Sequence, residues 1–163
     1  MAGAMANLFA GNPMTTAVGH KIEEATDPSL ASEDWSRNME ICDLVNASDE
    51  AARDAARAIK KRLHHFSGKN YAAVMYTLTV LETCVKNCGR NFHSLICQKD
   101  YIQDLIKLIG PRNEPPLAVQ EKVLSMVQSW AHTFRGQPDL AGAAAVYDEL
   151  VAKGVQFPDG GEA

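Results

Sequence analysis

Several kinds of segment are missing from this sequence, and each absence removes a class of protein. No apolar run approaches the roughly 20 residues needed to cross a bilayer, so a spanning chain is not expected. No segment alternates apolar and polar residues with the period of two that a half-buried strand requires, so no sheet is expected. There is no Walker A loop, no GxGxxG turn and no GxSxG elbow, and nothing marks a phosphate cradle, a dinucleotide site or a hydrolase nucleophile. An excess of basic charge is also lacking: the formal net charge is -4, with 16 Lys and Arg against 20 Asp and Glu. That balance argues against a dedicated nucleic-acid binder. The opening MAGAMANLFAGNP has no Lys or Arg ahead of its apolar stretch and makes a poor signal peptide. Four cysteines in such a chain read as reduced, cytosolic thiols.

What is present is a recurring helix grammar in a chain of 163 residues, 46% of them hydrophobic, which suits one domain with a substantial core. Thr16 is placed to cap a helix through Ile22 and Ala25, and Ser32 to cap a second running to about Val45. Ser48 restarts the chain for DEAARDAARAIKKRLHH. Asn70 opens a long helix from Tyr71 to Cys88, which Gly89 is expected to stop in the left-handed C-terminal position. Two shorter helices follow, through FHSLIC and KDYIQDLIKLIG, and then the loop GPRNEPP, whose Pro116 opens the next. That helix carries Val119, Val123, Val127, Trp130 and Phe134 at steps of three and four. A last helix ends at Gly154. About eight helices with short connections predict an all-α bundle or short superhelix.

The stretch ETCVKNCGRNFH raises the question of chemistry. Val74, Leu78, Leu81, Val85 and Cys88 share one apolar side of the long helix, with Cys84 at its margin. The spacing admits a Cys84, Cys88, His93 and Cys97 tetrad for zinc. Buried core thiols are the expectation, because such pairs normally sit on a turn. No metal, no cofactor and no catalytic thiol are expected.

Two helices carry an excess. On the second, Ile41, Leu44 and Val45 make a core stripe, while Trp35, Met39 and Cys42 make another roughly 130° away at 100° per residue. Both stripes are core if the helix lies inside a stack; otherwise Trp35 and Met39 form a small apolar patch with a polar rim, suited to protein binding. On the third, Arg53, Arg57, Lys60 and His64 fall on one side with Lys61 beside them, opposite Ala52, Ala56, Ile59 and Leu63. This basic stripe is either a solvated face or a contact for anionic headgroups or an acidic peptide. No aromatics interleave with it, so nucleic acid is not expected as a partner.

The runs VGHKIEEATDPSLASEDWSRNMEICDLVN, LTVLETCVKNCGRNFH and VQSWAHTFRGQPDL resemble the VHS domain of the Target-of-Myb family, from roughly Asn12 to Pro158. The resemblance implies a right-handed superhelix of eight helices, VHS/ENTH-like, without catalytic activity. It implies a cytoplasmic adaptor, peripheral on endosomal membranes, that binds ubiquitin weakly on ubiquitinated cargo. The family's ubiquitin contact falls on Trp35 and Met39, with a contribution from the fourth helix, whose outward residues by the wheel are Tyr76, Thr79, Thr83 and Lys86. Phosphoinositide binding is also implied, with Arg53, Arg57, Lys60, Lys61 and Arg62 as its natural site. A different branch, the GGA adaptors, reads acidic-dileucine signals between its sixth and eighth helices, and this sequence is less similar to that branch. Full-length family members engage Tollip and clathrin through regions that these residues do not include. The implied boundaries are a flexible N-terminus over 1–11, the domain over 12–158 and the start of a linker over 159–163.

Overall fold

The structure is a computed structural model that describes residues 11–158. The expected linker start at 159–163, and all but Gly11 of the expected flexible N-terminus, lie outside the described residues. Within them the chain forms eight α-helices and no strand: α1 (Ala17–Ala25), α2 (Trp35–Ala47), α3 (Asp49–Phe66), α4 (Tyr71–Asn87), α5 (Arg90–Ile96), α6 (Lys99–Leu108), α7 (Leu117–Phe134) and α8 (Gly142–Ala152). Single 3-10 turns precede α1, α7 and α8.

Local chemistry explains most boundaries. Thr16 Oγ1 accepts the Gly19 N–H at 3.0 Å, Ser48 Oγ accepts that of Ala51 at 3.0 Å, and Asn70 Oδ1 that of Ala73 at 3.1 Å. Each satisfies an N–H that the first turn leaves unpaired. Two expectations need correction. Asp34, not Ser32, caps α2, because its carboxylate reaches both the Arg37 N–H and the Arg37 guanidinium. Gly89 is extended (φ -95°, ψ -164°) rather than left-handed, since the chain turns straight into α5 and Gly89 serves as that helix's N-cap. Its carbonyl accepts the N–H groups of Phe92 and His93, both at 3.1 Å. Pro116 sits one residue ahead of α7 as its N-cap.

The helices stack on their neighbours once and twice removed, building a superhelix around one continuous core. α4 is the axis of the stack, packing against α1, α2, α3, α5 and α7. A helix covered on most sides must be apolar nearly all round. Accordingly α4 buries ten of its seventeen residues, three of them threonines. Thr77 and Thr83 return their hydroxyls to the carbonyls of Ala73 and Thr79, so neither hydroxyl is buried unpaired. The expected stripe of α7 is wholly buried: Val119, Val123, Val127, Trp130 and Phe134. Two crossings are tight enough to demand glycine. A Cβ on Gly19 would overlap the Pro13 carbonyl, and one on Gly142 the carbonyl of Cys97, to which the Gly142 N–H donates at 3.0 Å.

Candidate functional site

α2 lies on the outside of the stack, held by its inner face and by charge at its flanks. Asn38, Ile41, Cys42 and Val45 are buried against α1, α3 and α4. Arg37 Nε lies 3.3 Å from Glu24 and Lys21 Nζ 3.0 Å from Glu40, so two ion pairs tie α2 to α1. Such half-exposed pairs contribute little stability each, and the buried residues of the inner face set the helix's rotation. That rotation leaves Trp35 58% and Met39 45% exposed, one turn apart and flanked by exposed Ser36, Glu40 and Asp43. Two large apolar side chains held in water on an otherwise well-packed domain make a small patch with a polar rim.

The sequence placed Cys42 in the same stripe, and there the structure differs. Cys42 is 1% exposed although it lies on nearly the same side as Trp35, because two turns further along α2 the end of α4 covers that side, with Thr83, Cys84 and Cys88 against it. Of the carboxylates around the patch, Glu33, Asp34, Glu40 and Asp43, those of Asp34 and Glu40 are engaged by Arg37 and Lys21. On α4 the wheel was misleading. Thr79 and Thr83 are buried beneath neighbouring helices. Of the four residues read as outward, only Lys86 is exposed, and half-buried Tyr76 donates its hydroxyl to the Leu30 carbonyl at 2.6 Å, pinning the loop that leads to α2.

The basic residues of α3 divide. Arg57, Lys60, Lys61 and His64 line a shallow hollow with Gly11, Asn12 and Pro13, and Arg53, Arg57 and Lys60 border another with Leu95 and Tyr101. Their charge is partly spent: Arg57 donates to the Gly11 carbonyl at 2.7 Å and lies 3.8 Å from Asp54. Asp104 receives His64 at 2.5 Å and Lys60 at 3.9 Å. Arg62 does not join them. Its Nε donates to Thr26 Oγ1 at 2.9 Å and its guanidinium covers the Phe66 ring at 4.6 Å, which makes it a structural tie between α3 and the end of α1.

The thiols assemble differently from the tetrad that the spacing admitted. Cys84 is fully buried rather than marginal, and the sulfurs of Cys42, Cys84 and Cys88 lie within 4.8 Å of one another. His93 stands apart, its Nε2 2.7 Å from the Val85 carbonyl and its ring against Phe134. Cys97 is isolated, and burial pushes its thiol up to about 12. No sequence signal joined Cys42 to the other two, because the contact depends on how α2 lies across α4.

Comparison with known proteins agrees with this architecture. The VHS domain family matches residues 12–154. The chain is 55% identical over 149 residues to human TOM1-like protein 2, covering 91% of this chain and 29% of that protein. It is 53% identical over 149 residues to the mouse Target of Myb1 membrane trafficking protein, covering 91% of this chain and 30% of that one. The chain thus spans under a third of the length of these curated relatives. Among solved structures it superposes on the VHS and FYVE tandem domains of Hrs, described as a protein involved in membrane trafficking and signal transduction. The TM-score is 0.77 at 31% identity, over 88% of this chain and 64% of the other.

Proposed function

The chain belongs to the VHS domain family, and on that premise we propose that it is a non-enzymatic adaptor domain of membrane trafficking that holds ubiquitinated cargo through Trp35 and Met39. The observation that carries this reading is the exposed Trp35–Met39 pair on a helix seated by its buried inner face and tied to α1 by two ion pairs. A domain that buries Trp130 and every core position of α7 has no packing reason to leave its other tryptophan in water. Ubiquitin offers a small apolar patch rimmed by basic residues, and exposed Asp43 with half-exposed Glu33 supplies complementary charge. The contact is small, so the affinity expected is about 0.1 to 1 mM, or roughly -5.5 to -4 kcal/mol. Weak single contacts suit an adaptor that engages several cargo molecules at one membrane.

In this reading the domain works on the cytoplasmic side of endosomal membranes, and no helix among the described residues is long and apolar enough to cross one. Links to Tollip and clathrin belong to parts of longer family members outside these residues. Titrating isotope-labelled domain with mono-ubiquitin, followed residue by residue by NMR, tests the proposal. The largest shifts are expected between residues 35 and 43; a map centred on another helix would place the site elsewhere.

A second reading rests on α3, where Arg53, Arg57, Lys60 and Lys61 line two adjacent hollows. Each basic residue near an anionic surface contributes about 1 kcal/mol, fading within a Debye length. The domain should therefore sediment with phosphoinositide-containing vesicles in a salt-sensitive way, and Arg57→Glu with Lys60→Glu should abolish this. Equal binding by the double variant would leave the stripe as a solvated face. The acidic-dileucine reading has less in its favour, because between α6 and α8 the Lys99 ammonium is already paired with Glu149 at 2.7 Å.

A further inference from the structure

Three of the four cysteines meet in one place, although they come from two helices and a helix end. Cys42 sits midway along α2, Cys84 in the last turn of α4, and Cys88 is the residue that ends α4. Their exposures are 1%, 0% and 7%, and the Sγ atoms of Cys42 and Cys84 are 3.9 Å apart. We propose that Cys42, Cys84 and Cys88 form a three-sulfur site for a soft monovalent cation of the Cu(I) class, whose binding clamps α2 to the end of α4.

Geometry is the first support. A metal about 2.3 Å from each of three sulfurs separates those sulfurs by about 4 Å. The closest pair already has that spacing, and all three sulfurs lie within 4.8 Å, so small side-chain rotations complete the triangle. Donor chemistry is the second. No carboxylate or imidazole joins the cluster among the described residues, and His93 is occupied by the Val85 carbonyl. Zinc sites are almost always four-coordinate, and a fourth ligand is missing here, whereas soft thiolates favour Cu(I), which is content with two or three.

Contact across the seam is the third. The Cys42 S–H donates to the Cys84 sulfur at 3.9 Å and the Cys88 S–H to the Cys42 carbonyl at 3.7 Å, so the three side chains already converge where α2 crosses the end of α4. On binding, each coordinating thiol that still carries a proton releases it to solvent, and no electrons are transferred. Cys42 also follows Met39 by three residues on α2, so an ion here would stiffen the helix that presents the outer apolar pair.

The test uses the reduced domain under anaerobic conditions, titrated with Cu(I) against a chromophoric Cu(I) chelator, with X-ray absorption on the loaded wild type. One equivalent retained per chain, three sulfurs in the first shell and a raised melting temperature are expected. Cys42→Ala and Cys84→Ala should lose the ion, and Cys97→Ala should keep it. The proposal is overturned if the chelator strips all the copper, if Cys42→Ala retains it, or if urea-unfolded protein binds equally well. It is equally overturned if the absorption spectrum shows two sulfurs, or if Zn(II) binds as one equivalent with the same dependence on these thiols. Because the wild-type spectrum counts sulfurs directly, a variant that fails to fold does not leave the question open.

Discussion

The two tryptophans of this chain occupy opposite environments for one reason: which part of each helix its neighbours cover, since α2 and α7 each pack on three other helices. Trp130 lies on α7 where α4 and α8 close over it, 5% exposed among Val85, Met126 and Phe134. Trp35 opens α2 on the rim of the stack and is 58% exposed. The same side chain is thus stabilising mass in one region and exposed surface, open to the proposed ubiquitin contact, in the other. Burial decides which, and amphipathic pattern alone does not, since both residues sit on apolar stripes of their helices.

Four measurements would break or sharpen that contrast. Trp130→Ala should destabilise the domain by about 3 to 5 kcal/mol in urea denaturation, because it removes a large buried side chain and leaves a cavity. Trp35→Ala should change stability by no more than about 1 kcal/mol, yet cost about 2 kcal/mol or more of ubiquitin binding, which takes a millimolar contact out of range. Should Trp35→Ala unfold the domain as Trp130→Ala does, the two regions are alike and the outer patch is core.

The interior also carries an electrostatic signature. Burial raises Cys97 from 9.0 to about 12 and moves Tyr101 upward as well. The folded protein therefore keeps these protons to higher pH than the unfolded chain, so stability holds below about pH 9 and falls as pH rises towards 12. The slope expected is about 1.4 kcal/mol per pH unit for each such group, read from denaturation at several alkaline pH values. Cys97→Ala should make that slope shallower. The smallest effect concerns the start of α2: Asp34→Ala should cost about 1 kcal/mol by removing the N-cap, and Asp34→Asn appreciably less. Equal losses for the two would mean that the ion pair to Arg37 matters more than the cap.

Where local chemistry decides, the sequence was legible. Thr16, Ser48 and Asn70 cap as their side chains require, α7 buries its stripe, and eight helices are present among the described residues. The failures share a cause. A helical wheel tells which residues share a side, but not how many sides are covered. α4 touches five other helices, so Thr79 and Thr83, polar and facing away from the main stripe, were read as outward and are buried. Cys84 is a buried thiol as expected, but its contact with Cys42 was out of reach of the wheel, because it depends on which helix lies against which. Gly89 was read as a helix terminator because that is glycine's commonest office there, whereas the chain uses it to begin the next helix. The Trp35–Met39 exposure could be framed as one of two outcomes; choosing between them required knowing which sides of α2 its neighbours α1, α3 and α4 cover.

Gly142 carries a consequence for how this sequence is free to drift. Along α8, exposed positions such as Ala145, Asp148 and Glu149 meet solvent and tolerate many side chains. At 142 the helix backbone is pressed against the carbonyl of Cys97 and the peptide that follows it, leaving no room for even one carbon. A library sampling every amino acid there should return glycine alone, while the neighbouring exposed sites diversify. The most restrictive demand on this end of the domain is met by no side chain at all.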